Sequence, residues 1–127
     1  MVRVIACGGR DYQRRGRVFA VLDAAVQRLG LDVLLTGGAS GADHIAQAWA
    51  RERNVPNEIF RAHWGKEGPG AGPIRNKRML VEGRAELVIA FPGGDGTANM
   101  VDIAEKAGVR VIKIDWQDQQ PEEGKLV

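Results

Sequence analysis

The 127-residue chain has a single cysteine, Cys7, so it cannot form an internal disulfide, and its two histidines stand in no pattern that would hold zinc. No metal site and no cofactor are expected. Aromatics are scarce as well: three Phe, three Trp and one Tyr supply few platforms on which a run of bases would stack. Neither sign of charge dominates, since 18 Lys and Arg face 16 Asp and Glu. A net +2 is too small to argue by itself for a nucleic-acid surface. No apolar run approaches the roughly 18 residues that cross a bilayer, and the N-terminus reads directly into a strand with no signal-like region. A soluble, cytoplasmic protein with no membrane partner is the expectation.

What the chain has in excess is glycine. Its 17 glycines are roughly twice what an average usage of about 7% gives, and they gather in short turns instead of spreading as a linker. Between those turns, short β-branched runs alternate with helical periodicity, the pattern of a parallel sheet with crossover helices. Strands are predicted at residues 2–7, 32–36, 57–62, 86–91 and 110–114. Helical stripes fall at Val18, Leu22, Ala25, Val26 and Leu29, at Ala42, Ile45, Ala46, Trp49 and Ala50, and at Met100, Ile103, Ala104 and Ala107. Gly30 and Gly108 are placed to stop the first and last of these. Residues 65–72, half of them glycine, read as a flexible loop before a basic helix that begins near Pro73. The expected fold is α/β, a Rossmann-like three-layer sandwich with a five-stranded parallel sheet in the order 3-2-1-4-5. It occupies residues 1–115, and 116–127 form a polar tail.

Three glycine-rich turns follow three of the strands: Gly8, Gly9 and Arg10; Gly37, Gly38, Ser40 and Gly41; and Pro92, Gly93, Gly94, Gly96 and Thr97. All would emerge at the carboxyl edge of the sheet, where open α/β folds bind ligands. Glycine lets backbone N–H groups approach an anion closely, and helix N-termini add partial positive charge. Phosphate is the natural ligand. Residues 61–78 agree, with Arg61, Lys66, Arg75, Lys77 and Arg78 against the one acid Glu67. Trp64 is placed to stack on a base while Lys66 meets phosphate, and either equally fits a packing role. Asp43 and Asn99 are candidates for sugar hydroxyls, although helix capping is the simpler reading of Asp43. The turns contain neither a Gly-Lys-Ser/Thr P-loop nor GxGxxG, which disfavours an ordinary ATPase or dehydrogenase.

In this order, the GGRDY start, the TGGASGAD turn, the PIRNKRM segment and the PGGDGT turn resemble the SLOG superfamily, most nearly its small YspA and YpsA-related proteins. The superfamily unites DprA/Smf proteins with the LOG phosphoribohydrolases. The resemblance covers roughly residues 2–114. It implies a nucleotide or nucleotide-derived small-molecule ligand, either sensed or cleaved at an N-glycosidic bond, and a homodimer or higher homo-oligomer. LOG enzymes carry an Arg-Lys pair followed by PGGxGTxxE. Arg75 matches the arginine and residues 92–97 match the turn, whereas Asn76 stands at the lysine, Met100 at the glutamate, and the two motifs lie two residues further apart. Methionine cannot act as the acid or base such cleavage needs. Asp95 and Asp102 are the candidate catalytic substitutes, and a turn residue and a solvent-facing helix residue are the competing readings. The Pro-x-Arg-Asn stretch holding Arg75 and Asn76 also resembles DprA, which implies single-stranded nucleic acid as the alternative partner.

Overall fold

The computed structural model describes residues 1–116. The elements run β1 Val2–Cys7, α1 Arg15–Leu29, β2 Leu31–Thr36, α2 Ala42–Arg53, β3 Asn57–Ile59, α3 Trp64–Glu67, α4 Ala71–Val81, β4 Leu87–Ala90, α5 Asp95–Lys106 and β5 Arg110–Lys113. The strands form one parallel sheet in the order β3-β2-β1-β4-β5, the order expected from the sequence. Val4 of β1 stands beside Leu34 on one side and Leu87 on the other.

Because the inner strands are buried on both faces, they are apolar throughout instead of alternating. Val4, Ala6, Leu34, Leu87 and Ile89 pack against Val18, Leu22 and Ala25 of α1 and Ala46, Trp49 and Ala50 of α2. Ile5, Val33, Leu35, Val88 and Ala90 point the other way, against Met79 and Leu80 of α4 and Met100 and Ala104 of α5. The result is a Rossmann-like α/β sandwich. Trp49 is fully buried, and its indole N–H donates to Asp23 Oδ1 at 2.8 Å. Arg53 grips the same carboxylate, and that pairing holds the Asp23 pKa below its ordinary value.

The helical stripes are narrower at their ends than the sequence implies. Val26 and Ala107 are exposed, whereas Gly30 caps α1 in the left-handed region as expected. β3 ends at Ile59, not at residue 62. The larger correction concerns residues 65–72, expected as a flexible loop. They form α3, a 3-10 turn at Gly68–Gly70, and the start of α4 at Ala71. Proline explains much of this: Pro69 lies in the first positions of the 3-10 turn and Pro73 in the first turn of α4, where its missing N–H would have had no helical partner. Gly72 serves packing there, since a Cβ would come within 3.2 Å of the Trp64 ring. The expected tail lies outside the described residues beyond Trp116.

Candidate functional site

The strand order reverses between β1 and β4, so the turns after β1, β2 and β4 face one another across the carboxyl edge. Backbone hydrogen bonds tie them together. Gly9 N–H donates to Pro92 O at 2.8 Å, and Gly9 O accepts from Tyr12 N–H at 3.2 Å and Ala42 N–H at 3.1 Å. This closeness tolerates no side chains at two points. Gly41 has φ +74°, and the carbonyls of Gly9 and Arg10 fill the space a Cβ would need. A Cβ on Gly93 would meet Thr97 Oγ1 and approach Gly9 N to 2.7 Å.

Above these turns lies a cavity of about 660 Å³. Gly8, Gly9 and Arg10 line it, as do Gly37, Asp43, Trp64, Arg75 and Asn76, and Pro92, Gly93, Gly94, Asp95, Gly96, Thr97 and Asn99 from the β4–α5 turn. Gly38 and Ser40 open instead into a smaller adjoining hollow. Gly41 supports the turn without lining the cavity, and Lys66 is exposed on α3 outside it. Asp102 is on the outer side of α5, 3.0 Å from Lys106, in a separate depression. Met100, at the position of the LOG glutamate, is fully buried in the core and faces no ligand space. Among the described residues no group of three potential metal ligands occurs.

Two features give the cavity its electrostatics. One is the N-terminus of α5: Ala98 N–H is the first to find a helical acceptor, Gly94 O at 3.0 Å, so the amides of Asp95, Gly96 and Thr97 have none within the helix. No side chain caps this end. The other is the Asp43–Arg75 pair on the cavity floor. Asp43 Oδ2 accepts from Gly37 N–H and Ala39 N–H, both at 3.2 Å, and so pins the β2–α2 turn from below. Burial pushes its pKa up to about 6, against the opposing pull of the Ala39 amide, Arg75, the Gly37 amide and Arg10. Arg75 Nη1 donates to Gly37 O at 2.5 Å and Phe60 O at 3.5 Å, and its Nε donates to Asn76 Oδ1 at 3.0 Å. Burial lowers the Arg75 pKa, Asp43 opposes that, and Arg10 and Arg78 lower it further by repulsion. An arginine remains cationic in any such setting.

Asn76 is buried and donates through Nδ2 to Gly96 O at 3.1 Å and to Asn99 Oδ1 at 2.9 Å. It therefore braces the phosphate-type turn from α4 with no charge of its own. Cys7 also reaches the cavity floor, where burial first and the Asp43 charge second hold its thiol far above the ordinary range and leave no nucleophile. The sequence reading did not single out Tyr12, Met79 or Trp116, which line the cavity too. Tyr12 lies between Phe91 and Trp116, with ring centroids 5.6 and 5.3 Å away. An aromatic just past the last strand, at the carboxyl edge, was the available signal for Trp116.

A switch-point cavity walled by glycine turns on a parallel β3-β2-β1-β4-β5 sheet marks the Rossmann-like class of α/β proteins. Within it, the chain belongs to the YspA, cpYpsA-related SLOG family, whose pattern matches residues 2–66. The Gene 61 protein of Mycobacterium phage D29 is 40% identical over 121 residues, covering 88% of this chain and 95% of that protein. The fold is shared with DNA processing protein A (DprA) from Streptococcus pneumoniae, at TM-score 0.72 and 18% identity, over 94% of this chain and 52% of that one. It is shared also with the protein TM1055, at TM-score 0.68 and 18% identity, over 87% and 72%. No helix among the described residues is long and apolar enough to cross a membrane.

Proposed function

We propose that the protein binds a nucleotide or a nucleotide-derived phosphorylated ligand in this cavity and senses it without rapid turnover. Membership of a SLOG family supports a nucleotide-related role in general. One observation carries the particular reading: the uncapped N-terminus of α5 opens into a cavity that Arg10 and Arg75 also line. Amides without helical acceptors, a helix dipole and two guanidinium groups converging on one space suit a phosphoryl group better than a neutral one. On this reading Asn99 and Asp43 take sugar hydroxyls, and Trp64 takes a base.

The chemistry of cleavage has less support. The LOG glutamate position is Met100 in the core, and Asp102 is held outward by Lys106. Asp95 alone of the two candidate carboxylates lines the cavity. DNA processing by the DprA neighbour keeps single-stranded nucleic acid as the second reading, favoured here only by the basic 61–78 segment at the cavity rim.

Thermal shift with 5′-AMP, ADP-ribose, adenosine and short single-stranded DNA tests the proposal, because a ligand that binds only the folded state raises its melting temperature. Stabilisation by the phosphorylated nucleotides and not by adenosine is the expected result. Stabilisation by DNA alone, growing with length and collapsing with salt, refutes it.

A further inference from the structure

Beside the main cavity lies a second hollow of about 270 Å³, lined by Arg10, Arg61 and Arg75 with Ser40 and the turn Gly37–Ala39, and bounded by Trp64. No acidic residue lines it. Among the described residues, neither Arg10 nor Arg61 has a carboxylate within ion-pair distance. Arg10 rests over the Trp64 ring at 5.5 Å instead. Arg61 reaches across the β2–α2 turn, so close that a Cβ on Gly38 would come within 3.0 Å of its Nη1. Three guanidinium groups around one concavity repel one another, and the depressed Arg75 pKa has Arg10 among its causes. Such an arrangement is relieved when an anion enters, and the Ser40 hydroxyl, which donates to Arg10 O at a long 3.4 Å, can turn its one O–H to that anion instead.

The two spaces adjoin, because Arg10, Gly37, Ala39, Trp64 and Arg75 line both. They are nevertheless centred on different strands. The helix N-terminus follows β4, whereas Ser40 and Arg61 follow β2 and β3, two and three positions away in the sheet. At about 4.8 Å per strand spacing, the anion-binding points are roughly 10–14 Å apart. That is wider than a single nucleoside unit, and Trp64, about half exposed, lines both spaces.

We infer that the ligand is a linear dinucleotide-sized molecule with phosphoryl groups at both ends: one on the α5 N-terminus, the other in the arginine hollow, and a base against Trp64. This rests on the phosphate assignment proposed above and adds Arg61 and Ser40 as determinants of ligand length.

The test is calorimetric titration of the whole protein and of Arg61→Gln with three probes: 5′-AMP, the dinucleotide pApA, and pApAp, which carries a phosphoryl group at each end. The wild type should bind pApAp roughly tenfold or more tighter than pApA, the increment of one charge-assisted contact. In Arg61→Gln that preference should disappear while 5′-AMP affinity stays within about twofold. Arg61 is exposed, and its removal leaves the core intact, which circular dichroism verifies. If 5′-AMP binds but the wild type does not prefer pApAp, or if Arg61→Gln keeps that preference, the second subsite is wrong and the phosphate reading stands. If no probe binds, both fall. Affinity that keeps rising for oligonucleotides well beyond two residues also overturns the inference, in favour of a strand-binding surface.

Discussion

Asp43 offers the sharpest test, because its carboxyl is nearly enclosed and its pKa is raised from 3.8 to about 6. The folded protein therefore binds a proton there more tightly than the unfolded chain does. The stability contributed by protonated Asp43 is fully present below pH 3.8 and is lost as pH rises through about 6. A shift of about two units corresponds to about 3 kcal/mol between those limits. Both amides that Asp43 accepts donate to the one oxygen Oδ2, so the amide oxygen of Asp43→Asn can take both bonds and keep the turn pinned. The substitution imitates the protonated acid and removes the ionisation cost. At pH 8, Asp43→Asn should thus be more stable than wild type by about 2–3 kcal/mol, or roughly 10 °C in melting temperature for a domain of this size. At pH 4 the two should nearly coincide. Urea unfolding at half-unit steps from pH 4 to 8 measures the difference directly, provided the transitions remain two-state. A variant less stable than wild type at pH 8, or a difference that does not change with pH, would refute the reasoning.

Arg75→Ala should weaken binding of 5′-AMP by tenfold or more while changing adenosine affinity little, and should cost about 1–2 kcal/mol of stability because Gly37 O and Phe60 O lose a charged donor. Titration calorimetry of both ligands with the variant checks the first part, and equal losses would count against a phosphate role. At Gly94 a Cβ meets nothing within 4 Å, so Gly94→Val should fold with some loss of stability yet bind phosphorylated ligand disproportionately poorly. Gly41→Ala, forced into φ +74° against two carbonyls, should lose at least about 2 kcal/mol. Normal binding by folded Gly94→Val would remove residues 93–97 from the site. Incubated with nucleoside monophosphates, the wild type should release little free base by chromatography; if release is rapid, its abolition in Asp95→Asn, and not in Asp102→Asn, is the outcome the cavity geometry requires.

The strand order was legible because five apolar runs stood at intervals that only crossover helices fill, and because glycine turns after the first, second and fourth runs had to meet somewhere. Less visible was the part of the site built by burial. Asp43 near a helix start reads as a dipole or capping residue; only the fold shows its carboxylate turned back to the amides of Gly37 and Ala39. Glycine content misled at residues 65–72, where Pro69 and Pro73 set helical turns and Gly72 makes room for Trp64. Which of these glycines need the left-handed region is likewise visible only in the fold: Gly38 and Gly41 have positive φ, whereas Gly94 has φ −102°. Tyr12 and Met79 close the GGRDY and PIRNKRM segments, but as apolar residues they read as packing, and only the fold shows that they line the cavity.

The knot of backbone bonds at Gly9 has an evolutionary corollary. Main-chain atoms of one residue hold the first turn to Pro92 and to the start of α2, so a change of shape in any of the three is transmitted to the others. Drift toward a new ligand by reshaping these turns piecemeal is thereby hindered. The stretch after Phe60 is freer: Arg75 holds Phe60 O and Arg78 holds Arg61 O through side chains, and Arg61, Trp64 and Lys66 are exposed. Diversification of specificity among relatives should accordingly concentrate between residues 61 and 70, while the three turns stay fixed as a common chassis.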